Sequence, residues 1–389
     1  MAVRVGAALL VLTAGVALAF YVIRPGGASL ACYLADRDPP EVRIQAPAGP
    51  VRARVTVALG ISDNCGVGEV RVLLDGQPLN GAPPQLEIDT AKLPDGDHRL
   101  TVEAADVSLR RNTGRAEAIF KTDNTPPALT VPANPVAIKQ GEARPVEITS
   151  NEALSRLEFR WGDVTVPVTA GLSSLAFPVA AGPTDPPGVR RLEVTAWDQA
   201  GNEARLVVEV RIQPGTFPVD YVPVPPELTP LLDPEVLVQE ERYLAGVFGQ
   251  VTWPPRWTGG VRRPVTGPIS SAFGSRRSYA GGVLSAPHLG VDLAVPAGTP
   301  VIAAADGRVA LAEGLRVRGN AVVIDHGLGV YTAYYHLSQI RVQPGQEVRA
   351  GDLLGLAGST GLATGPHLHW ELRVFGVPAD PLGWVGAGH

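Results

Sequence analysis

Between residues 39 and 198 the chain repeats itself, and the repeat leaves few folds open. Pro39-Pro40-Glu-Val-Arg-Ile44 opens one unit and Pro126-Pro127-Ala-Leu-Thr-Val131 opens the next. The ends correspond as well. Leu100-Thr-Val-Glu-Ala-Ala-Asp106 matches Leu192-Glu-Val-Thr-Ala-Trp-Asp198, which runs on into Gln-Ala-Gly201-Asn202. Each unit is about 90 residues of short alternating segments broken by Pro, Gly and Asp, the size and rhythm of an antiparallel β-sandwich. Nothing in either unit looks catalytic. A mainly β chain with three folded modules is the expectation for 389 residues.

The C-terminal third stays β in character but changes its chemistry. Val301-Ile-Ala-Ala304, Ala321-Val-Val-Ile324 and Val330-Tyr-Thr-Ala-Tyr-Tyr335 are strand-like runs between glycine-rich turns. The chain has 7 histidines, and five of them fall between His288 and His369. In a strand, side chains two apart share a face, so His367 and His369 look into one cavity and Leu368 turns away. His288 and Asp292 are four apart. Gly290 between them, with Pro287 and Pro296 around them, favours extended chain over helix.

Those residue types point to a metal. A catalytic zinc takes three protein ligands and keeps a fourth position for water. The expected ligands are His288, Asp292 and His369, holding one Zn2+ per chain. His336 and His367 are left beside it for proton transfer and oxyanion stabilisation. His367 is the expected general base and His336 the expected oxyanion stabiliser. His98, His326 and His389 read as structural residues, His326 at a turn.

Five segments resemble a lysostaphin/LytM-type peptidase domain. They are Gly267-Pro-Ile-Ser-Ser-Ala-Phe-Gly-Ser-Arg276, His288-Leu-Gly-Val-Asp292, Gly319-Asn320-Ala-Val-Val-Ile-Asp-His-Gly327, Tyr335-His336-Leu337 and Gly365-Pro-His-Leu-His-Trp-Glu371. The resemblance covers residues 264–389. It implies a zinc metalloendopeptidase that cuts stems or cross-bridges of bacterial peptidoglycan. It further implies His288, Asp292 and His369 as zinc ligands and His336 with His367 as the catalytic pair. Some relatives have lost ligands and only activate other wall hydrolases, which gives the alternative of a non-hydrolytic envelope scaffold; all five residues are kept here. Gln343-Pro-Gly-Gln-Glu-Val-Arg-Ala-Gly-Asp-Leu-Leu-Gly355 also has the wording of biotinyl and lipoyl carriers, but residues 264–389 contain no lysine to modify. Gly355-Leu-Ala-Gly-Ser-Thr-Gly361 lacks the lysine of a phosphate loop and reads as a loop beside the site.

The two repeats, residues 32–124 and 125–213, resemble bacterial Ig-like domains, although the first lacks the Cys…Trp…Cys spacing of antibody domains. A spacer role is the expectation, with binding of the wall or of an envelope protein as the sharper one. Residues 1–31 hold an uncharged, mostly apolar run from Val5 to Ile23, just long enough for a transmembrane helix. An uncleaved single-pass anchor is expected, with the bulk of the chain periplasmic or extracellular. A signal peptide cleaved near Ala17-Leu-Ala19 is its competitor. Cys32 and Cys65 fit that oxidising side as one disulfide; lipidation of Cys32 with Cys65 free is the alternative.

Residues 214–263 form the connector. Phe217-Pro-Val-Asp-Tyr-Val-Pro-Val-Pro-Pro226 should be extended and stiff. Asp233 to Phe248 reads as a helix with Asp233 as N-cap and Pro234 in the first turn. The segment either packs on the peptidase-like domain or lies across its cleft as a lid. Charged residues make up 18% of the chain, the net charge is −5 and no basic run appears, so nucleic acid is excluded as a partner.

Overall fold

Alternation decides the N-terminal unit. Along Gly96–Asp106 the residues His98, Leu100, Val102, Ala104 and Asp106 are all buried, at the period of two that a strand requires. That strand lies in a sheet with Gln77–Pro78, Val67–Leu74 and Thr113–Thr122, while Glu41–Gln45, Arg54–Ser62 and Gln85–Asp89 form a second sheet. Both sheets contribute to one core built on Val57, Leu59, Val72, Ile88, Leu100 and Phe120. The core is small. A disulfide between Cys32 and Cys65, Cα atoms 5.3 Å apart, fastens the short helix Leu30–Ala35 to the turn after Arg54–Ser62. The expected pairing of the two cysteines is therefore found.

The computed structural model describes residues 30–81, 83–257, 260–279 and 284–386. The apolar run at Val5 to Ile23, and with it the expected membrane anchor, lies outside the described residues, as does His389. Among the described residues no helix is long and apolar enough to cross a membrane.

The described residues divide into two compact units, one of those up to Thr125 with Ala200–Asn202 and one of the remainder. In the second unit, Ala143–Trp161 and Val164–Ala180 form a long hairpin. It continues the sheet through Gly188–Trp197, Glu203–Gln213 and Val136–Lys139. This sheet shares one continuous core with the C-terminal domain. Phe177 stacks on Phe375 at 5.3 Å, and the Trp384 indole donates to the Ala143 carbonyl at 2.7 Å.

The C-terminal sheet runs Ile269–Ser271, Val291–Leu293, Leu368–Val374, Val330–Ile340, Asn320–Asp325, Gly307–Gly314 and Glu347–Val348. Its central strands are buried on both faces. Val330 and Tyr334 belong to the main core, whereas Tyr331, Ala333 and Tyr335 pack with Leu244 and Phe248 of the helix Pro234–Phe248. The Asp233 carboxylate caps that helix by accepting from the Glu235 amide at 2.8 Å, as its sequence indicated. Glu240, buried on the same helix, accepts from the amides of Val317 and Arg318. The helix thus covers the sheet and holds the turn before Asn320.

Candidate metal centre

Strand register brings the first two functional groups together. Asp292 on Val291–Leu293 lies directly opposite His369 on Leu368–Val374, and Tyr335 lies opposite His369 on its other side. Direct cross-strand partners have Cβ atoms about 5 Å apart, so the carboxylate and imidazole meet without a long reach. His288 arrives from the turn before that strand, its backbone held by Ser275 and Gly274. Gly290 makes the approach possible: a Cβ there would stand 2.4 Å from the Trp370 carbonyl oxygen and 2.8 Å from His369 Nε2.

The three side chains are buried and their donor atoms form a tight triangle. His288 Nε2 is 2.9 Å from His369 Nδ1 and 3.1 Å from Asp292 Oδ1, and His369 Nδ1 is 2.9 Å from that oxygen. The other nitrogens are already committed. His288 Nδ1 donates to the Ala272 carbonyl at 3.0 Å and His369 Nε2 donates to Glu371 Oε1 at 3.0 Å. With the tautomers set by those acceptors, three lone-pair donors face one point. Such an arrangement is repulsive unless a cation or proton sits there.

The three groups titrate differently. Burial works against a charged His369, yet its hydrogen bonds to Asp292 and Glu371 outweigh burial and raise its pKa. Burial would raise Asp292, but His288 and His369 hold it well below the usual carboxylate range. Burial, helped by His369 and Arg277, lowers His288 despite Asp292 and keeps that imidazole neutral, as a metal ligand must be. The donor set of two imidazoles and one carboxylate is that of a catalytic zinc site, and imidazoles oriented by a carboxylate and a carbonyl are its usual support. The residues present fit the metal.

His336 and His367 flank this triangle, with ring centroids 4.9 Å apart. His367 Nε2 is 3.7 Å from Asp292 Oδ1, while its Nδ1 donates to the Gly365 carbonyl at 2.8 Å. His336 donates from Nδ1 to the Thr360 carbonyl at 2.8 Å. Burial, reinforced by His367 and His369, pushes His336 down to about 3. Its backbone is left-handed, φ 61°, at the bulged part of Val330–Ile340. All five sequence-predicted residues line a single cavity of about 1000 Å³. The connector borders it too, through Val219 to Val224, Leu237 and Glu241. His326 stands apart, buried between the Asp306 carbonyl and the Thr332 hydroxyl, as a structural residue should.

Several contributors were not singled out from sequence. Arg277 pairs with the second oxygen of Asp292, and no periodicity links residues 277 and 292. Glu371 orients His369 and is itself paired with Arg373 at 2.8 Å. Its position two residues after His369 on one strand is a signal that could have found it. Thr360 acts through its main-chain carbonyl, which no side-chain pattern reveals.

Two imidazoles and a carboxylate converging on one point, with two further histidines at the rim, define the metallohydrolase class of centre. Residues 286–381 match the model of Peptidase family M23, and the C-terminal domain is an M23 peptidase domain. It is 47% identical over 114 residues to peptidoglycan DD-endopeptidase ShyA of Vibrio cholerae, covering 29% of this chain and 26% of that one. It is 48% identical over 95 residues to DD-carboxypeptidase/endopeptidase Mpg of Neisseria meningitidis, covering 24% and 22% respectively. A catalytic-domain structure of the prophage-encoded M23 protein EnpA from Enterococcus faecalis is 31% identical. That match covers 32% of this chain and 98% of that one, with a TM-score of 0.28. The chain thus spans about a quarter of the length of these two curated relatives.

Proposed function

We propose that this chain is a zinc-dependent endopeptidase that hydrolyses peptide bonds in peptidoglycan stems or cross-bridges during wall remodelling. The observation that carries the reading is the triangle of lone-pair donors at His288, Asp292 and His369, each oriented by a neighbour. The names of ShyA and Mpg favour a D,D-peptide bond as the one cut.

Zinc bound by those three residues would supply a Lewis acid and a water whose pKa lies near 7. The chain does the rest. Arg277 and Glu371 fix Asp292 and His369 in their rotamers. His367, with Nδ1 tied to Gly365, presents Nε2 as the acceptor for a proton from the attacking water. The role we assign His336 departs from the one its motif indicated. With Nδ1 committed to Thr360, its Nε2 donates to an oxyanion only after gaining a second proton, which burial strongly opposes. Neutral His336 instead accepts from the water and orients it. The connector wall beside the centre narrows the groove that receives the peptide.

The first N-terminal β module acts in this reading as an Ig-like spacer with a membrane anchor before it and the wall outside, while the second, which shares the core of the C-terminal domain, acts as its support. The two sheets of the first module support the Ig-like reading for that module, whereas the second builds a single sheet instead of the expected sandwich; the formed disulfide supports an oxidising location. Metal analysis of the purified chain and digestion of peptidoglycan with and without chelator test the function. One zinc per chain and chelator-sensitive release of stem-peptide products are expected. A chain that binds zinc but releases no product, or cleaves equally well without metal, overturns the reading.

A further inference from the structure

The N-terminal unit has its own unexplained convergence of charge. Asp36, Asp63 and Asp106 each offer a carboxylate oxygen, and these oxygens lie within 4.8 Å of one another. Asp36 is only 7% exposed and Asp106 3%. Among the described residues no arginine, lysine or histidine forms an ion pair with any of the three; Arg71 and Arg111 both pair with Glu69.

Their hydrogen bonds are arranged asymmetrically. Asp36 Oδ1 accepts from the Asp38 amide and the Asn64 side chain, and Asp63 Oδ1 accepts from the amides of Cys65 and Gly66. The second oxygen of each, Asp36 Oδ2 and Asp63 Oδ2, is shut off from solvent and has no hydrogen-bond partner. Asp106 accepts from the Ser108 amide and hydroxyl on Oδ1 and from the Asn112 amide group on Oδ2. Two orphaned, buried carboxylate oxygens beside a third carboxylate are what a buried acid avoids, because desolvation penalises each charge and the neighbours repel it. A cation removes both penalties at once.

We propose that Asp36, Asp63 and Asp106 bind a calcium ion. The donors are all hard oxygens, which suits calcium, whereas zinc prefers nitrogen or sulfur donors. Calcium accepts 6–8 oxygens in flexible geometry, so main-chain carbonyls and water complete its shell. Magnesium, which demands a near-octahedral shell and keeps its waters, fits a buried three-carboxylate cluster less well. The Cys32–Cys65 disulfide ties the segments that carry Asp36 and Asp63, and so holds the site together before the ion arrives. In sequence, Asp123 stands three residues before Pro126-Pro127, as Asp36 stands before Pro39-Pro40, and the second repeat has Asp198 where the first has Asp106.

The test uses the full chain, stripped with chelator and then given one equivalent of zinc to fill the C-terminal centre. Calcium is titrated by calorimetry and unfolding is followed by heat. One calcium per chain is expected, with a Kd of about 10⁻⁴ to 10⁻³ M as in extracellular modules and a rise of several degrees in the first unfolding transition. Magnesium at the same concentration should give neither. Asp36→Asn with Asp63→Asn should abolish both effects. Asp63→Asn alone, on a half-buried residue, serves if the double variant does not fold, and should weaken binding at least tenfold. No uptake by the native chain at about 10 mM calcium, an equal response to magnesium, or undiminished binding by a folded variant overturns the proposal. None of these readouts depends on peptidase activity.

Discussion

His98 in the N-terminal unit and His326 in the C-terminal domain are both buried, yet their pKa values move in opposite directions. Burial disfavours the charged form of each. At His98 the Asp75 carboxylate, 2.6 Å from Nδ1, outweighs burial and raises the pKa. His326 meets only a carbonyl and a hydroxyl and falls to about 4. His336 near the metal centre behaves like His326. Burial alone therefore does not tell what a histidine is for; the partner on each ring nitrogen does. His98 in the N-terminal unit is half of an ion pair, whereas His326 and His336 in the C-terminal domain lack a directly bonded carboxylate and are held neutral by burial.

The largest test of that contrast is on activity. Asp292→Asn removes the anionic donor of the centre and is expected to lower peptidoglycan hydrolysis more than about a thousandfold, some 4 kcal/mol of barrier. His98→Gln should leave turnover within about twofold, since structural substitutions away from a site act on stability. Product release, measured with zinc content, checks both. A His98→Gln chain as inactive as Asp292→Asn would break the comparison.

Next comes the buried pair that supports His369. Arg373 is 4% exposed and binds Glu371, which is 1% exposed. Arg373→Met strands that carboxylate and should cost about 3–5 kcal/mol in the unfolding of the C-terminal domain. The N-terminal unit depends instead on a covalent link. Cys65→Ser opens a loop with a sequence separation of 33 and should cost that unit about 3–4 kcal/mol, with the activity of the C-terminal domain retained. Denaturant unfolding followed separately in the two units distinguishes these outcomes.

The smallest effect is the pH dependence. His326 has a folded pKa of about 4 against 6.5 unfolded, so the unfolded chain takes up the proton first. His326 should then withdraw about 3 kcal/mol of stability from the C-terminal domain as pH drops from 6.5 to 4, and His326→Gln should make that limb shallower by this amount, His336 supplying a further part with the same sign. His98 has the opposite sign. Its contribution is complete below the unfolded value and is lost as pH rises through its raised folded pKa. Melting curves against pH that moved both units in the same direction would contradict the assignment.

Much of the centre was legible before any coordinates. His367 and His369 are two apart on what proves to be the edge of a strand, and His288 and Asp292 bracket a glycine that clears their path. The helix announced itself through Asp233 and Pro234. What stayed hidden depends on which strands become neighbours. Val219–Val222 reads only as stiff and extended, but its partner, Arg276–Tyr279, is chosen by the tertiary fold. Arg277 reaches Asp292 for the same reason. Backbone acceptors such as those of Thr360 and Ala272 leave no trace in side-chain identity.

His336 has one more implication, for anyone trying to make this domain more heat-resistant. A left-handed backbone at a residue with a Cβ costs about 1–3 kcal/mol, and glycine would relieve it. Glycine would also discard the buried imidazole and its hydrogen bond to Thr360, and so lose about as much as it relieves. Heat resistance is therefore better sought elsewhere in the domain, because at this peptide unit the strain and the imidazole come together.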